Sequence, residues 1–216
     1  YGVRSFWGPL RVEVRVHQTA EFNPAIRRRI GIGGNFTWPW RGEQWQVIAT
    51  RKMMRNKARG QLFVRALSKA ATRGVLLVGG HPLPCALGRS GRRVIKREGD
   101  GATPTGTYGL ESVFYRPDRG LRPPTGLPLK VITPTDGWCD EPTDRNYNRR
   151  VRHPYAASAE KMWRQDGLYD LIVVLDCNRK PRVRGRGSAI FIHVARPGFA
   201  PTEGCIALRR PDLLRV

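Results

Sequence analysis

Hydrophobic and polar residues alternate along most of the chain in short segments, which is the pattern of half-buried β-strands. The first clear example is residues 10–16 (LRVEVRV), and glycine, proline and polar turns bound the segments that follow. We predict strands at 10–16, 61–67, 74–78, 82–87, 107–114, 127–132, 169–175 and 188–194. The last two, YDLIVVL and SAIFIHV, are almost entirely apolar, which favours strands that are covered on both faces.

Two segments favour helices. In residues 158–165, Ser158 can cap the first turn and Glu160 adds an acidic residue to it. At the C-terminal end of the sequence, Pro211 suits the first turn of a helix that begins at Arg210. The segments 96–106 and 136–154 are polar and are predicted to be loops. Strands outnumber helices, so the predicted fold class is mainly β with one or two short helices.

The regular pattern begins near residue 60 and divides the chain in two. Before it, only residues 10–16 show a strand pattern, and the rest is rich in Arg, Gly and Trp without a clear period. We therefore treat residues 1–59 as an N-terminal extension whose fold the sequence does not predict; it is either a linker or a segment that is not native to the protein. Residues 60–216 are predicted to form one domain.

The composition is strongly basic. The 216 residues include 39 Lys and Arg against 17 Asp and Glu, a formal net charge of +22. Residues 1–59 contain 12 basic and 3 acidic residues, and residues 60–216 contain 27 basic and 14 acidic residues. The positive charge is therefore not confined to a tail. Such a charge favours attraction to nucleic acid, anionic lipid or an anionic cell-wall polymer. No recognition-helix pattern or RNA-binding aromatic motif supports the first of these, so no nucleic acid partner is expected.

Other compositional features limit the possibilities further. No apolar run approaches the roughly 18 residues of a membrane-spanning helix. No signal-peptide pattern is visible after Tyr1. The Cys and His residues lack the spacing of a metal site, so no metal is expected. Three thiols are predicted to pack in the β core, namely those of Cys85, Cys139 and Cys177.

The segment 190–208 carries the most specific chemistry. His193 ends a buried strand, and a loop rich in Pro and Gly leads from it to Gly204 and Cys205. A nearby imidazole can deprotonate a thiol, and a glycine lets the backbone approach a substrate closely. On spacing alone, a small buried Cys205 and a hydrogen-bonded His193 without catalytic function remain an open alternative.

Several ordered motifs resemble one family. His193 and residues 202–208 (TEGCIAL) resemble the His…Ser/Thr-x-Gly-Cys signature of the YkuD-type L,D-transpeptidases, which cross-link peptidoglycan. Residues 96–108 (KREGDGATPTGTY) resemble the family's G-D-x-x-T-P-x-G-x-[FY] segment. The segments 136–140, 147–149 and 185–193 are also similar to parts of the family. The resemblance covers about residues 60–216 and implies a catalytic domain with an L,D-transpeptidase-like β-sandwich or mixed sheet.

The resemblance implies a function for each matching residue. Cys205 would be the nucleophile that accepts the acyl group, and His193 would be its base. The backbone carbonyl of Val194 would orient the imidazole, and the N–H groups of Gly204 and Cys205 would form an oxyanion hole. Substrate contacts are expected from Thr202, Glu203, Trp138, Tyr147 and Asn148.

The resemblance also implies the reaction and its partners. The thiol would attack a stem tetrapeptide of peptidoglycan at the bond between its L-centre and D-Ala, release D-Ala and form a thioester. An amine from a second stem would then form a peptide cross-link, whereas water would make the same site a cell-wall hydrolase or amidase. No cofactor is expected. The protein is expected to be a monomer of the periplasm or cell envelope that binds peptidoglycan stem peptides and touches an anionic wall or membrane surface. A non-catalytic, basic polyanion-binding protein is the alternative from another class.

Two positions depart from the family pattern. Glu203 stands where many members have His, and Ala207 stands where many have an Arg that can bind a substrate carboxylate. Arg209 or a basic residue of the segment 136–152 would have to replace that Arg. These departures concern the choice of substrate and not the nucleophile.

Overall fold

The computed structural model describes residues 11–16, 61–66 and 68–216. In these ranges one α-helix, α1, spans Arg210–Leu213, and a 3₁₀ turn spans Pro197–Phe199. The strands are β1 Arg11–Val16, β2 Gln61–Ala66, β3 Arg73–Val78, β4 His81–Ala86, β5 Arg92–Arg93, β6 Thr103–Pro104, β7 Gly106–Tyr115, β8 Leu129–Val131, β9 Asp136–Cys139, β10 Arg149–Arg152, β11 Ala159–Lys161, β12 Leu171–Leu175, β13 Phe191–Val194 and β14 Ile206–Leu208. Each predicted strand overlaps one of these, so the mainly-β prediction is confirmed.

Nine of the strands form one mixed sheet that closes on itself. Their order is β1-β2-β3-β4-β14-β13-β12-β7-β8, and β1 pairs in parallel with β2 and antiparallel with β7, which joins the two sides of the sheet. A three-stranded sheet has the order β10-β9-β11, and β5 pairs with β6. The described residues therefore form a closed sheet with smaller sheets beside it.

Strand β12 shows why the sequence builds two hydrophobic clusters. All of its residues are buried. Its odd-numbered residues belong to the cluster inside the closed sheet, whereas Ile172 and Val174 belong to a second, outer cluster. The outer cluster also contains Trp138 of β9 and Phe191 of β13. The three-stranded sheet thus covers the outer face of the closed sheet, and an uninterrupted apolar sequence satisfies both faces of β12.

The helix predicted at 158–165 is wrong. Residues Ala159–Lys161 form β11, whose Glu160 lies opposite Trp138 in an antiparallel pairing with β9. Met162, which follows directly, is fully buried in the outer cluster. An eight-residue helix has little stability of its own, so pairing with β9 and burial of Met162 outweigh the local helix signals.

The polar segment 136–154, predicted to be a loop, contains two strands. Strand β9 is buried along its whole length, and β10 pairs with it antiparallel. Asp136 begins β9 as a fully buried carboxylate that accepts hydrogen bonds from Arg150 (2.8 and 2.5 Å). The polar composition of this segment led to the loop prediction. A buried Asp136 would be unfavourable in a strand without a partner, but its ion pair with Arg150 compensates the charge.

Strand β1 falls within residues 1–59, the segment treated as an extension. Its Val12 and Val14 side chains are buried inside the closed sheet. The remaining residues of that segment lie outside the described residues, so the boundary at residue 60 stays a prediction. No helix in the described ranges is long and apolar enough to cross a membrane.

We expect Val14→Ala to lower the free energy of unfolding by about 2 kcal/mol, because it removes two buried methyl groups and leaves a cavity. Chemical denaturation measured by tryptophan fluorescence checks this value. Val94→Ala, at a side chain that is 77% exposed, is the control and should leave the midpoint unchanged. Equal stability of both variants would mean that β1 contributes nothing to the closed sheet.

Candidate active site

The parallel pairing of β13 with β14 places His193 and Cys205 on one face of the closed sheet. Its register sets Ile192 beside Ile206, and both side chains face the interior. The residues directly before these two, Phe191 and Cys205, belong to the outer cluster. Because side chains alternate along a strand, His193 shares the face of Phe191 and therefore of Cys205.

The Cys205 thiol is buried and held by two backbone groups. Its Sγ–H donates to the Ala189 carbonyl (3.2 Å), and Phe191 N–H donates to Sγ (3.4 Å). Burial raises the pKa of Cys205 to about 12, and the Glu160 carboxylate acts in the same direction, against the Phe191 hydrogen bond. The resting group is therefore a neutral thiol.

The imidazole of His193 is oriented by the backbone that follows it. Nδ1 lies 2.8 Å from the Val194 carbonyl, which can only accept, so Nδ1 carries the hydrogen and the lone pair is on Nε2. Burial lowers the pKa of His193 to about 4; the Val194 hydrogen bond opposes this, while the nearby cations Arg164 and Arg196 lower it further. The resting imidazole is therefore neutral and can accept a proton at Nε2. The hydrogen bond from Nδ1–H to the Val194 carbonyl is the geometry that an orienting function requires. That Val194 serves catalysis in this way remains a prediction.

The loop that leads to Cys205 is fixed by backbone hydrogen bonds on both sides of Thr202. Thr202 N–H donates to the Leu87 carbonyl (2.9 Å), and Arg89 N–H donates to the Thr202 carbonyl (2.7 Å). The Thr202 hydroxyl donates to the Cys205 carbonyl (2.7 Å) and accepts from Gly204 N–H (3.2 Å). Thr202 thus holds the turn that presents the thiol, and the substrate contact predicted for it stays a prediction.

Gly204 is required by its backbone conformation. Its φ of +137° lies in the region that favours glycine, and a Cβ would stand 2.9 Å from the Ala102 carbonyl oxygen. Its N–H points at the Thr202 hydroxyl, so it could serve the predicted oxyanion hole only by giving up that hydrogen bond.

Thr103, from the Gly-Asp-x-x-Thr-Pro segment, ties this loop to the rest of the domain. Its fully buried hydroxyl accepts from Gly88 N–H (2.8 Å) and donates to the Cys205 carbonyl (3.5 Å). Gly88 is equally constrained, since a Cβ there would stand 2.6 Å from the Thr103 nitrogen. The segment is therefore a structural support for the nucleophile, and Thr103 lies in the short strand β6, within a segment that was predicted to be a loop.

Trp138, Tyr147 and Asn148, expected to contact substrate, are only 1–2% exposed. Asn148 Oδ1 accepts from Trp138 Nε1–H (2.9 Å) and from Ala189 N–H (3.2 Å). Tyr147 donates its hydroxyl hydrogen to Glu98. Asn148 therefore holds the N–H of Ala189, the residue whose carbonyl accepts from Sγ. The packing function of these three residues is visible in the structure, and direct substrate contact remains only a prediction.

Ion pairs involve residues at or near the positions at which the sequence departs from the family pattern. Glu203 is largely exposed and pairs with Arg89 (2.7 Å). Arg209, considered as a replacement for the missing cation, pairs instead with Asp212 (2.7 Å). The cations whose charge reaches His193 are Arg164 and Arg196, which the sequence did not single out.

The sequence also did not single out Tyr169 and Glu160. The Tyr169 ring packs edge-on against His193, with ring centroids 5.4 Å apart, and its hydroxyl donates to Glu160 Oε1 (2.6 Å). Tyr169 is the first residue of the predicted buried strand 169–175, which was the only available signal. Glu160 was concealed because its segment favoured a helix.

The described residues contain no group of three or more His, Cys, Asp or Glu side chains that could hold a metal ion. All four cysteines are free thiols and are buried. The pKa of each is raised, chiefly by burial, so pKa alone does not distinguish Cys205. What distinguishes Cys205 is that it shares a face with His193.

A model of one known protein family matches most of the chain. Residues 65–216 match the family model described as YkuD, L,D-transpeptidase catalytic domain. No curated protein and no solved structure matches the chain.

The neutral thiol predicts a distinctive pH dependence of alkylation. Because burial raises the pKa of Cys205 to about 12, its alkylation by iodoacetamide should keep rising from pH 7 to pH 10 without a plateau. Mass spectrometry of the peptide that carries Cys205, against Cys205→Ser, gives the rate. A plateau near pH 7 would show a thiolate–imidazolium pair instead.

Thr103→Val should destabilise the protein by about 1–3 kcal/mol, because it leaves the buried Gly88 N–H without a partner. Thr105→Val is a matched control, since the Thr105 hydroxyl is buried but has no hydrogen-bond partner. Thermal and chemical unfolding should separate the two variants. Equal unfolding midpoints would contradict a supporting function for the Thr103 hydroxyl.

Proposed function

The chain belongs to the YkuD family of L,D-transpeptidase catalytic domains, and on that premise we propose that it is a cysteine acyltransferase. Its donor would be a peptidoglycan stem tetrapeptide, and its intermediate a thioester at Cys205. The observation that carries the proposal is the shared face of the Cys205 thiol and a neutral His193 whose Nδ1–H is held by Val194.

The first half-reaction begins from two neutral groups. As Sγ attacks the carbonyl between the L-centre and D-Ala, its proton passes to His193 Nε2. The imidazolium that forms stays bonded to the Val194 carbonyl (2.8 Å), and the Cys205 N–H is a donor for the developing oxyanion. The C–N bond then breaks, and D-Ala leaves as an amine after receiving the proton from His193.

The second half-reaction runs through the same groups. An amine attacks the thioester, a C–N bond forms, and the C–S bond breaks with its electron pair on sulfur. His193 takes a proton from the attacking nitrogen and returns it to the thiolate. The Phe191 N–H, 3.4 Å from Sγ, stabilises the leaving thiolate.

Arg164 and Arg196 are the proposed contacts for a carboxylate of the donor. Both lie close enough to His193 to lower its pKa. Arg164 already pairs with Asp166 (2.5 Å), whereas Arg196 is exposed and its side chain has no hydrogen bond or ion pair with another described residue. Arg196 is therefore the better candidate for the cation that Ala207 does not supply.

The proposal extends to the setting of the protein. A basic chain that acts on stem peptides would work in the cell envelope or periplasm, as a monomer, against an anionic wall or membrane surface. The net charge of +22 favours such contact.

Cys205→Ala should abolish the acyl adduct that wild-type protein forms with a stem tetrapeptide, because no other described thiol shares a face with His193. Intact-protein mass spectrometry detects the adduct and the loss of D-Ala. His193→Ala should slow adduct formation by about 10²-fold or more, the size of a lost general base. Cys139→Ala is a control at another buried thiol and should still form the adduct.

Product analysis separates the remaining candidates. Cross-linked dimers indicate a transpeptidase, and free tripeptide acid indicates a hydrolase that uses the same site. A polyanion-binding protein without catalysis would form no adduct with tetrapeptide or with a carbapenem, and its wall binding would weaken steeply with salt. An adduct retained in Cys205→Ala would reject the proposed nucleophile.

A further inference from the structure

Glu160 lies at the edge of the candidate active site, held there through Tyr169. Its Oε1 accepts from the Tyr169 hydroxyl (2.6 Å). The same Tyr169 ring packs edge-on against Phe191 and His193, with centroids 6.0 and 5.4 Å apart. The Glu160 side chain is 30% exposed, so a ligand can reach it from solvent.

The charge of Glu160 is less closely compensated than the charges of the ion-paired Asp136 and Asp166. Asp136 and Asp166 each have a guanidinium nitrogen at 2.5 Å. Among the described residues, the nearest cation to Glu160 is Arg164 at 3.9 Å, and that arginine forms its closer contacts with Asp166. Glu160 Oε2 receives no hydrogen bond from another described residue, so one carboxylate oxygen is available to a donor.

This carboxylate works against the first half-reaction. Its negative charge adds to burial in raising the pKa of Cys205 and therefore disfavours the thiolate. Its own pKa is raised by burial and by Asp140 and Glu98, against the opposing effects of the Tyr169 hydrogen bond and Arg164. A group that hinders activation of the nucleophile and keeps an oxygen open is expected to act at another stage.

We propose that Glu160 binds the ammonium group of the amine that resolves the thioester, and takes the proton that this amine must lose before it attacks. The inference rests on the proposed acyl transfer. It assigns Glu160 as the residue that makes an amine, and not water, the preferred acceptor.

The proton balance of the step is complete. The ammonium gives one proton to Glu160 and becomes a neutral amine, while the carboxylate becomes a carboxylic acid. The amine nitrogen forms the new C–N bond, the C–S bond breaks toward sulfur, and the second proton passes through His193 to the Cys205 thiolate. Glu160 then releases its proton to solvent. Its raised pKa makes it a better proton acceptor than an ordinary carboxylate.

The test uses Glu160→Gln, which keeps the size of the side chain and removes its charge. The acyl-enzyme is formed with the stem tetrapeptide and is then offered two acceptors, water and a stem tripeptide with a free side-chain ammonium. The measured quantity is the rate of transfer to each acceptor. We expect transfer to the tripeptide to fall about 10- to 100-fold, the value of one charge-assisted hydrogen bond, while hydrolysis does not fall. Alkylation of Cys205 in the free protein should become faster, because the carboxylate no longer disfavours the thiolate.

Hydroxylamine, which is largely uncharged near neutral pH, is the control acceptor. Transfer to hydroxylamine should not fall in Glu160→Gln, whereas general damage to the site would slow transfer to both acceptors. Glu111→Gln is the matched control variant, since Glu111 is 34% exposed, pairs with Arg179 (2.9 Å) and is not among the groups that shift the pKa of Cys205. Glu160→Asp, which retains the charge, should recover part of the preference for the ammonium acceptor.

Each outcome decides between the two proposals. If wild-type protein forms no acyl adduct, the proposed function fails and this inference fails with it. If the adduct forms and Glu160→Gln divides it between ammonium and water as wild type does, the inference is overturned while the proposed function stands. Equal losses with hydroxylamine and with the ammonium acceptor would overturn it as well, because they would indicate a structural defect.

Discussion

The parallel pairing of β13 with β14 is the constraint on which the candidate site depends. In this register Ile192 and Ile206 face the interior, so His193 and Cys205 must both face outward. If either strand were shifted by one residue, its reactive side chain would face the interior of the closed sheet, away from the other reactive group. The hydrogen bonds of Thr202 and Thr103 to the Cys205 carbonyl then fix where the loop delivers the thiol.

The same burial that orders the site also determines its resting chemistry. It favours the uncharged form of both groups, which lowers the pKa of His193 and raises that of Cys205. Proton transfer between them would therefore accompany bond formation and would not precede it. Fixed donors, such as the Phe191 N–H on sulfur, need no reorganisation when charge develops, so they recover part of the cost of desolvation.

The sequence predicted the features that depend on residues close together in the chain. Eight of the fourteen described strands, the buried character of β12 and the His193–Cys205 pair follow from local patterns and one family resemblance. The helix predicted at 158–165 failed because its alternative, pairing of Ala159–Lys161 with β9, involves residues far apart in sequence. The Tyr169–Glu160 pair, which depends on that same strand, could not be found for the same reason.

The overall charge and the field inside the site have to be considered separately. At physiological salt, exposed charges are screened over about 8 Å, so most of the +22 acts at the surface and on polyanions there. The site responds instead to the few groups beside it: Arg164 and Arg196 lower the pKa of His193, and Glu160 raises that of Cys205. These effects are opposite in sign to those expected for an enzyme that stores a thiolate–imidazolium pair. They are consistent with a site that develops charge only when substrate groups enter and compensate it.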